Sequence, residues 1–281
     1  MKGNIQAGFT MHPRWAQIGG GFQAFLEPLR AAGLTALEFE LDSRIDLWEG
    51  FEPMMDKVVT MDYDLSFHAP YRLPHTLVDF TGKNRQTIID DYQPMLNIAR
   101  RYAQTMGATK TVVIHGARAN NGNHPALLAD TKCFIDWLLN EYPELNFVLE
   151  NNNPNEPGVV KVGETRAEVL EIVRSVDSPH LGICWDMGHD YLGHRQEKLT
   201  DSWLKHIRHV HLHDVDEHEI DHYPLIFDRV PHPAWLAALK KAGMIGIVVL
   251  ELKGWLLKDY SFKEVMTYLT DSIAMITAEV Q

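Results

Sequence analysis

The sequence predicts a single (β/α)8 barrel, a TIM barrel running as one domain over residues 1–281. Three observations carry that prediction. Short apolar, β-branched runs alternate with segments of 3.6-residue periodicity from one end of the chain to the other, which implies parallel strands joined by crossover helices. The alternation repeats eight times, and no linker, low-complexity stretch or charge block divides the chain.

The strand-like runs are, in order, "IQAGF", "TALEFEL", "DLSFHAP", "KTVVIHGA", "NFVLENN", "LGICWDMGH", "HVHLHDV" and "GIVVLEL". The helical patterns between and after them include "QTIIDDYQPMLNIARRYAQTMG", "PALLADTKCFIDWLLNEY", "TRAEVLEIVRSV", "HPAWLAALKKAG" and "FKEVMTYLTDSIAMITAEV". Gly33, Gly107 and Gly243 each follow a helical run, where a helix C-terminus needs a residue tolerant of left-handed backbone. The longest insertions, 151–163 and 214–233, both follow strands, on the face where barrels of this kind build their sites.

The formal net charge is −12, which argues against a surface made to wrap nucleic acid or lie on an anionic membrane. The opening residues lack an apolar signal region, and no run approaches the roughly 20 apolar residues of a membrane span. A cytoplasmic protein is expected, forming a symmetric homo-oligomer by the habit of soluble enzymes. Only two cysteines occur, Cys133 and Cys184, and both are read as inert thiols.

The 15 histidines and the acidic residues carry more information. Six of the eight strand runs end in a potential metal ligand: His68, His115, Glu150, Asp186 with His189, His211, and Glu251. A closed barrel brings those ends around one pocket, where uncompensated carboxylates would repel and raise each other's pKa. A divalent cation removes the conflict, and imidazole with carboxylate suits Mn, Zn, Co, Fe or Mg. Asp186 is therefore read as a ligand, and His189 as a ligand to a second ion or a substrate contact. His209, His211 and His213 share one face of a strand; His211 is read as ligand, His213 as a residue behind a ligand or in the pocket, and His209 as a core group. Asn152 is expected at the substrate, and Glu38 either there or in a helix cap or salt bridge. Asp221 and His222 lie in the long seventh loop, and Tyr71 and Arg72 lie near the pocket in "HAPYRLPH". The remaining histidines are read as surface or loop residues.

The segments "FHAPY", "VVIHGA", "VLENNN", "CWDMGH", "HVHLHD" and "VLELK", in this order, resemble the xylose isomerase-like barrels. That superfamily joins sugar isomerases and epimerases with abasic-site nucleases of the endonuclease IV type. Resemblance to the ketose 3-epimerase branch implies one divalent ion held by Glu150, Asp186, His211 and Glu251. It also implies that Glu150 and Glu251 exchange a carbon-bound proton through an enediolate, with His189 on a substrate oxygen. The substrate would be a sugar or sugar phosphate. Where that branch has an Arg six residues after the ligand His, this chain has Glu217.

Resemblance to the nuclease branch implies additional metal ligands at His68, His115, His189 and His222, and a zinc-dependent phosphodiesterase. There the chain departs at Ile220, where an Asp is expected, and at "IFDRVP", which replaces a glycine-rich turn. A barrel that binds metal or sugar without catalysis is the third reading. A small carbohydrate is the expected partner, in preference to nucleic acid.

Overall fold

The computed structural model describes residues 5–11, 15, 21–40, 45–71 and 75–280, without the side chains of 45–52. His12 and Arg72 fall outside the described residues. Eight parallel strands close into a barrel: β1 (Ile5–Met11), β2 (Ala36–Glu40), β3 (Asp64–His68), β4 (Lys110–Ile114), β6 (Leu145–Glu150), β8 (Leu181–Asp186), β9 (Ile207–Leu212) and β10 (Gly246–Leu250). Their order round the barrel is β1, β10, β9, β8, β6, β4, β3, β2. Pairing of Phe9 with Leu250 and of Gly8 with Ala36 on the two flanks of β1 completes the closure. Two three-residue strands, β5 (Arg118–Asn120) and β7 (Val159–Lys161), form a separate antiparallel ribbon from the loops that follow β4 and β6.

Side-chain alternation explains why the strand ends converge. Residues two before each polar strand end share its face: Val113 precedes His115, Val148 precedes Glu150, Cys184 precedes Asp186 and Val249 precedes Glu251. Val113, Val148 and Cys184 pack as one small layer, and Ala36, Ile247 and Val249 as another. The intervening residues, such as Phe147, Leu149, Trp185, Val248 and Leu250, belong to the large core under the helices. Each such fully buried side chain contributes about 1.5–3 kcal/mol. The barrel is thus plugged by small apolar layers below, and its polar residues gather in a layer above them.

The helices behave as their patterns predict. The helix Arg85–Met106 ends at Gly107 and the helix His232–Ala242 ends at Gly243, both left-handed caps, at φ 61 and φ 78. None of the described helices is long and apolar enough to cross a membrane. Cys184 is buried and Cys133 half-buried, both as free thiols. His75 and His232, read as surface or loop groups, are buried, His75 within a loop and His232 at the start of a helix. The ribbon of β5 and β7 lies within stretches read as loop, because three residues are too few to display an alternation.

Candidate metal centre and cavity

The site starts with Glu38, a fully buried carboxylate on β2. His209 Nε2 donates to its Oε2 at 2.8 Å, His211 Nε2 donates to its Oε1 at 2.9 Å, and Ser66 Oγ donates to Oε2 at 3.0 Å. Burial pushes the Glu38 carboxyl up, but the charges and donors of His211 and His209 outweigh burial and hold it far below the carboxylate range. Glu38 therefore takes the salt bridge and not the place at the substrate, and lies beneath the site with both oxygens engaged.

The bond to Glu38 assigns the proton of His211 to Nε2, so its Nδ1 presents a lone pair. That Nδ1 lies 3.2 Å from Glu251 Oε2 and 3.3 Å from Glu150 Oε2. All three atoms are buried and have no hydrogen-bond partner. Three such atoms facing one another out of water are costly unless a cation or a proton lies among them; burial pushes the His211 imidazole down, but the negative groups around it, Glu251, Glu150 and Glu38 among them, push it well above its ordinary value and so favour positive charge at this point. Asp186 completes the set: ligand atoms of Glu150, Asp186, His211 and Glu251 all lie within 4.8 Å of one another. These residues fit a divalent ion with mixed nitrogen and oxygen ligands.

The same logic repeats on one flank. His68 Nδ1 donates to the Ala69 carbonyl at 2.9 Å, and His115 Nδ1 donates to Asn152 Oδ1 at 3.0 Å. Asn152 Nδ2 in turn donates to the Val162 carbonyl at 2.7 Å, which orients its amide. The two free Nε2 atoms stand 3.3 Å apart, and lie 3.3 Å and 3.1 Å from Glu150 Oε2. Each imidazole is thus held by its other nitrogen in the tautomer a metal requires.

On the other flank, His189 Nδ1 donates to the Asn151 carbonyl at 3.1 Å, leaving Nε2 directed to Asp221 Oδ2 at 3.7 Å. His222 Nε2 lies 3.3 Å from Glu251 Oε2, and its Nδ1 lies 2.9 Å from Asp221 Oδ1. Asp221 reaches between these histidines although Ile220 occupies the position where a carboxylate is expected.

Asp186 has two duties. Its Oδ1 accepts the His189 backbone N–H at 2.7 Å, capping the helix Met187–His194. His213 holds its other side. The His222 backbone N–H donates to His213 Nδ1 at 2.9 Å, so His213 carries its proton on Nε2, which lies 3.0 Å and 3.2 Å from the two Asp186 oxygens. With that tautomer His213 positions Asp186. It is fully buried and stacks at 4.0 Å on His222, so of its two readings it takes the place behind a ligand and not the one in the pocket. Gly188 makes room for it: an added Cβ would sit 1.9 Å from the His213 ring. Asp190, the last polar group of "CWDMGHD", serves the fold, pairing with Arg166 at 2.5 Å and accepting from Trp185 Nε1 at 2.9 Å.

Above these residues opens a cavity of about 810 Å³, lined by Tyr71, His115, Asn152, His189, Asp221 and His222 among others. The sequence reading did not pick out its cationic groups Arg118, Lys161 and Lys253. Lys253 stands two residues after Glu251, and same-face spacing is the one signal that would have marked it.

The match to the family of xylose isomerase-like TIM barrels runs over residues 26–270. The chain belongs to that family. Among solved structures, it superposes on 3-keto-D-glucoside 4-epimerase from E. coli with TM-score 0.69 at 14% identity, covering 98% of this chain and 99% of that one. A D-tagatose 3-epimerase-like protein matches with TM-score 0.67 at 18% identity, over 96% of this chain and 99% of that one. At these identities the likeness is one of fold. A curated relative, uncharacterized protein MJ1311 of Methanocaldococcus jannaschii, is 34% identical over 106 residues, 36% of this chain. The matched region spans about a third, 35%, of that relative's length.

Two predictions test the centre. In Glu38→Gln one histidine would meet an amide N–H instead of an oxygen and lose the tautomer set for it; divalent-metal affinity, measured by competition with a chromogenic chelator, should fall about 10- to 100-fold. Unchanged affinity would mean that Glu38 does not set the ligand. The field that favours a cation also favours a proton. Burial lowers His68 and His222, yet Glu150 for the first and Glu251 with Asp221 for the second raise each to about 9 from 6.5. Stability from a raised pKa is present below the unfolded value and is lost as pH rises through the folded one. Chelator-treated protein should therefore lose stability, and with it melting temperature, between pH 6.5 and about 9, the free-energy loss being on the order of 3 kcal/mol per histidine at most. A flat profile in calorimetry over that window would contradict it.

Proposed function

We propose that the protein is a divalent-metal-dependent isomerase or epimerase that moves a proton on a sugar or sugar phosphate, by way of an enediolate. One observation carries the reading: Glu150 and Glu251, from β6 and β10, approach the same His211 nitrogen at 3.3 Å and 3.2 Å with unpartnered oxygens. Two carboxylates on either side of a bound ketose suit removal of a proton from one face and its return from the other. When bound, the ion supplies polarisation of the carbonyl and charge stabilisation at the substrate oxygens. Its holders would be Glu150, Asp186, His211 and Glu251. His189 and Asn152 line the cavity and serve as hydroxyl partners for a sugar, while Glu38 and His213 hold ligands in place. The presence of sugar epimerases among the structural neighbours supports this choice within the family.

A second reading is favoured by a separate observation. His68 and His115 with Glu150, and His189 and His222 with Asp186, offer donors beyond one ion's needs, as a multinuclear zinc phosphodiesterase would.

The discriminating experiment follows solvent deuterium into a panel of ketoses and ketose phosphates by NMR, with metal-replete protein in D2O. Incorporation at one carbon position is expected, reduced at least about 1,000-fold in Glu150→Gln and in Glu251→Gln, as loss of an acid or base partner requires. Exchange that survives both substitutions would refute the two-carboxylate mechanism. No exchange, together with chelator-sensitive incision of a duplex carrying an abasic site, would establish the second reading instead.

A further inference from the structure

Resting on the reading of the cavity as a carbohydrate site, we infer that the substrate carries an oxyanion, a phosphate or carboxylate, which docks on Arg118 and Lys161 and displaces Glu156 from them. The two cations face one another in register across the ribbon of β5 and β7, and both line the cavity. Arg118 Nη2 donates to both oxygens of Glu156, at 2.5 Å and 2.6 Å. Lys161 Nζ lies 3.4 Å from Glu156 Oε2 and 3.7 Å from Glu164 Oε1, and donates to the Asn153 carbonyl. Glu156 thus holds an arginine and a lysine in the way a bound carboxylate or phosphate edge would.

Exposure separates the cations from their partner. The Lys161 side chain is 2% exposed and that of Arg118 14%, whereas Glu156 is 45% exposed. An ion pair with so exposed a carboxylate adds little to stability and is readily exchanged. The buried ammonium, by contrast, needs an anion beside it. A doubly charged phosphate entering the cavity meets that need better than one carboxylate.

Position relative to the metal centre fits a sugar. Arg118 Cζ lies 5.8 Å from the Tyr71 ring centroid, and that ring stacks on His115 at 4.0 Å. His115 Nε2 is 3.1 Å from Glu150. The oxyanion seat therefore lies one aromatic ring above the metal-side histidine, a separation that a short sugar chain spans with its reacting carbons at Glu150 and its charged end at Arg118. Glu156, Asn153 and Asn155 come from the loop that follows β6, whose last residue is the metal-side Glu150, so the clamp and the chemistry share one scaffold.

The test is isothermal titration calorimetry of the full chain, as purified with its metals, against inorganic phosphate and against acetate at constant ionic strength. Saturable binding is expected, weakened tenfold or more in Arg118→Gln and strengthened severalfold in Glu156→Gln, where the competing charge is gone. Tighter phosphate than acetate identifies a phosphorylated substrate, and the reverse identifies a sugar acid. No saturable binding of either anion, or equal affinity in wild type and Arg118→Gln because the metal centre alone holds it, overturns the inference. Glu156→Gln leaves both cations in place, so unchanged affinity in that variant also counts against it. No turnover is read, so a failure of the proton-transfer reading in the deuterium experiment leaves this result independent.

Discussion

The site depends on one buried carboxylate. Glu38 accepts from His209 and His211 at 2.8 Å and 2.9 Å, and this bond places the lone pair of His211 opposite Glu150 and Glu251. Without a fixed proton on Nε2, His211 is free to turn an N–H toward those carboxylates and satisfy them by itself. With it, the cleft is completed only by positive charge, an ion or added protons on its histidines, as the upward shifts of His68 and His222 indicate. The same arrangement recurs at His68, His115 and His189, each of which gives its Nδ1 proton to a carbonyl or amide oxygen. Backbone and second partners set these tautomers before any ion arrives.

The fold supplies the convergence. Alternation along parallel strands directs one residue in two inward, and closure between β1 and β10 brings β2, β3, β4, β6, β8, β9 and β10 to one rim. Val113, Val148 and Cys184 fill the barrel below that rim, so water is excluded from the underside of the centre. Burial raises the Cys184 thiol well above its ordinary value and keeps it protonated, leaving the ligand chemistry to imidazole and carboxylate. The ribbon built by β5 and β7 then adds a second, cationic wall to a cavity whose floor is made of imidazole and carboxylate donors.

Much of this was legible in the chain. Strand-end His68, His115, Glu150, Asp186, His211 and Glu251 follow from counting apolar runs and reading their last residues, because period two fixes which face a residue takes. It does not fix depth along the barrel axis. Glu38 and His213 each admit a pocket place and a supporting one for that reason; Glu38 sits a layer lower, and His213 slips beside the helix Met187–His194, where Gly188 has no side chain to block it. Asp221 had no periodic pattern to mark it, since its place between His189 and His222 comes from the path of a long loop. Arg118 and Lys161 were equally invisible: the register that opposes them belongs to two strands of three residues each.

The central claim is that this layer was built around cations, and metal content tests it most directly. Purified protein should carry at least one tightly held divalent metal per chain by elemental analysis, retained through gel filtration and lost in Glu150→Gln, whose carboxylate belongs both to the group with His68 and His211 and to the group with Asp186, His211 and Glu251. Wild-type protein that takes up no such ion at stoichiometric level from a full panel of Mn, Fe, Co, Zn and Mg, while remaining folded, would contradict the account.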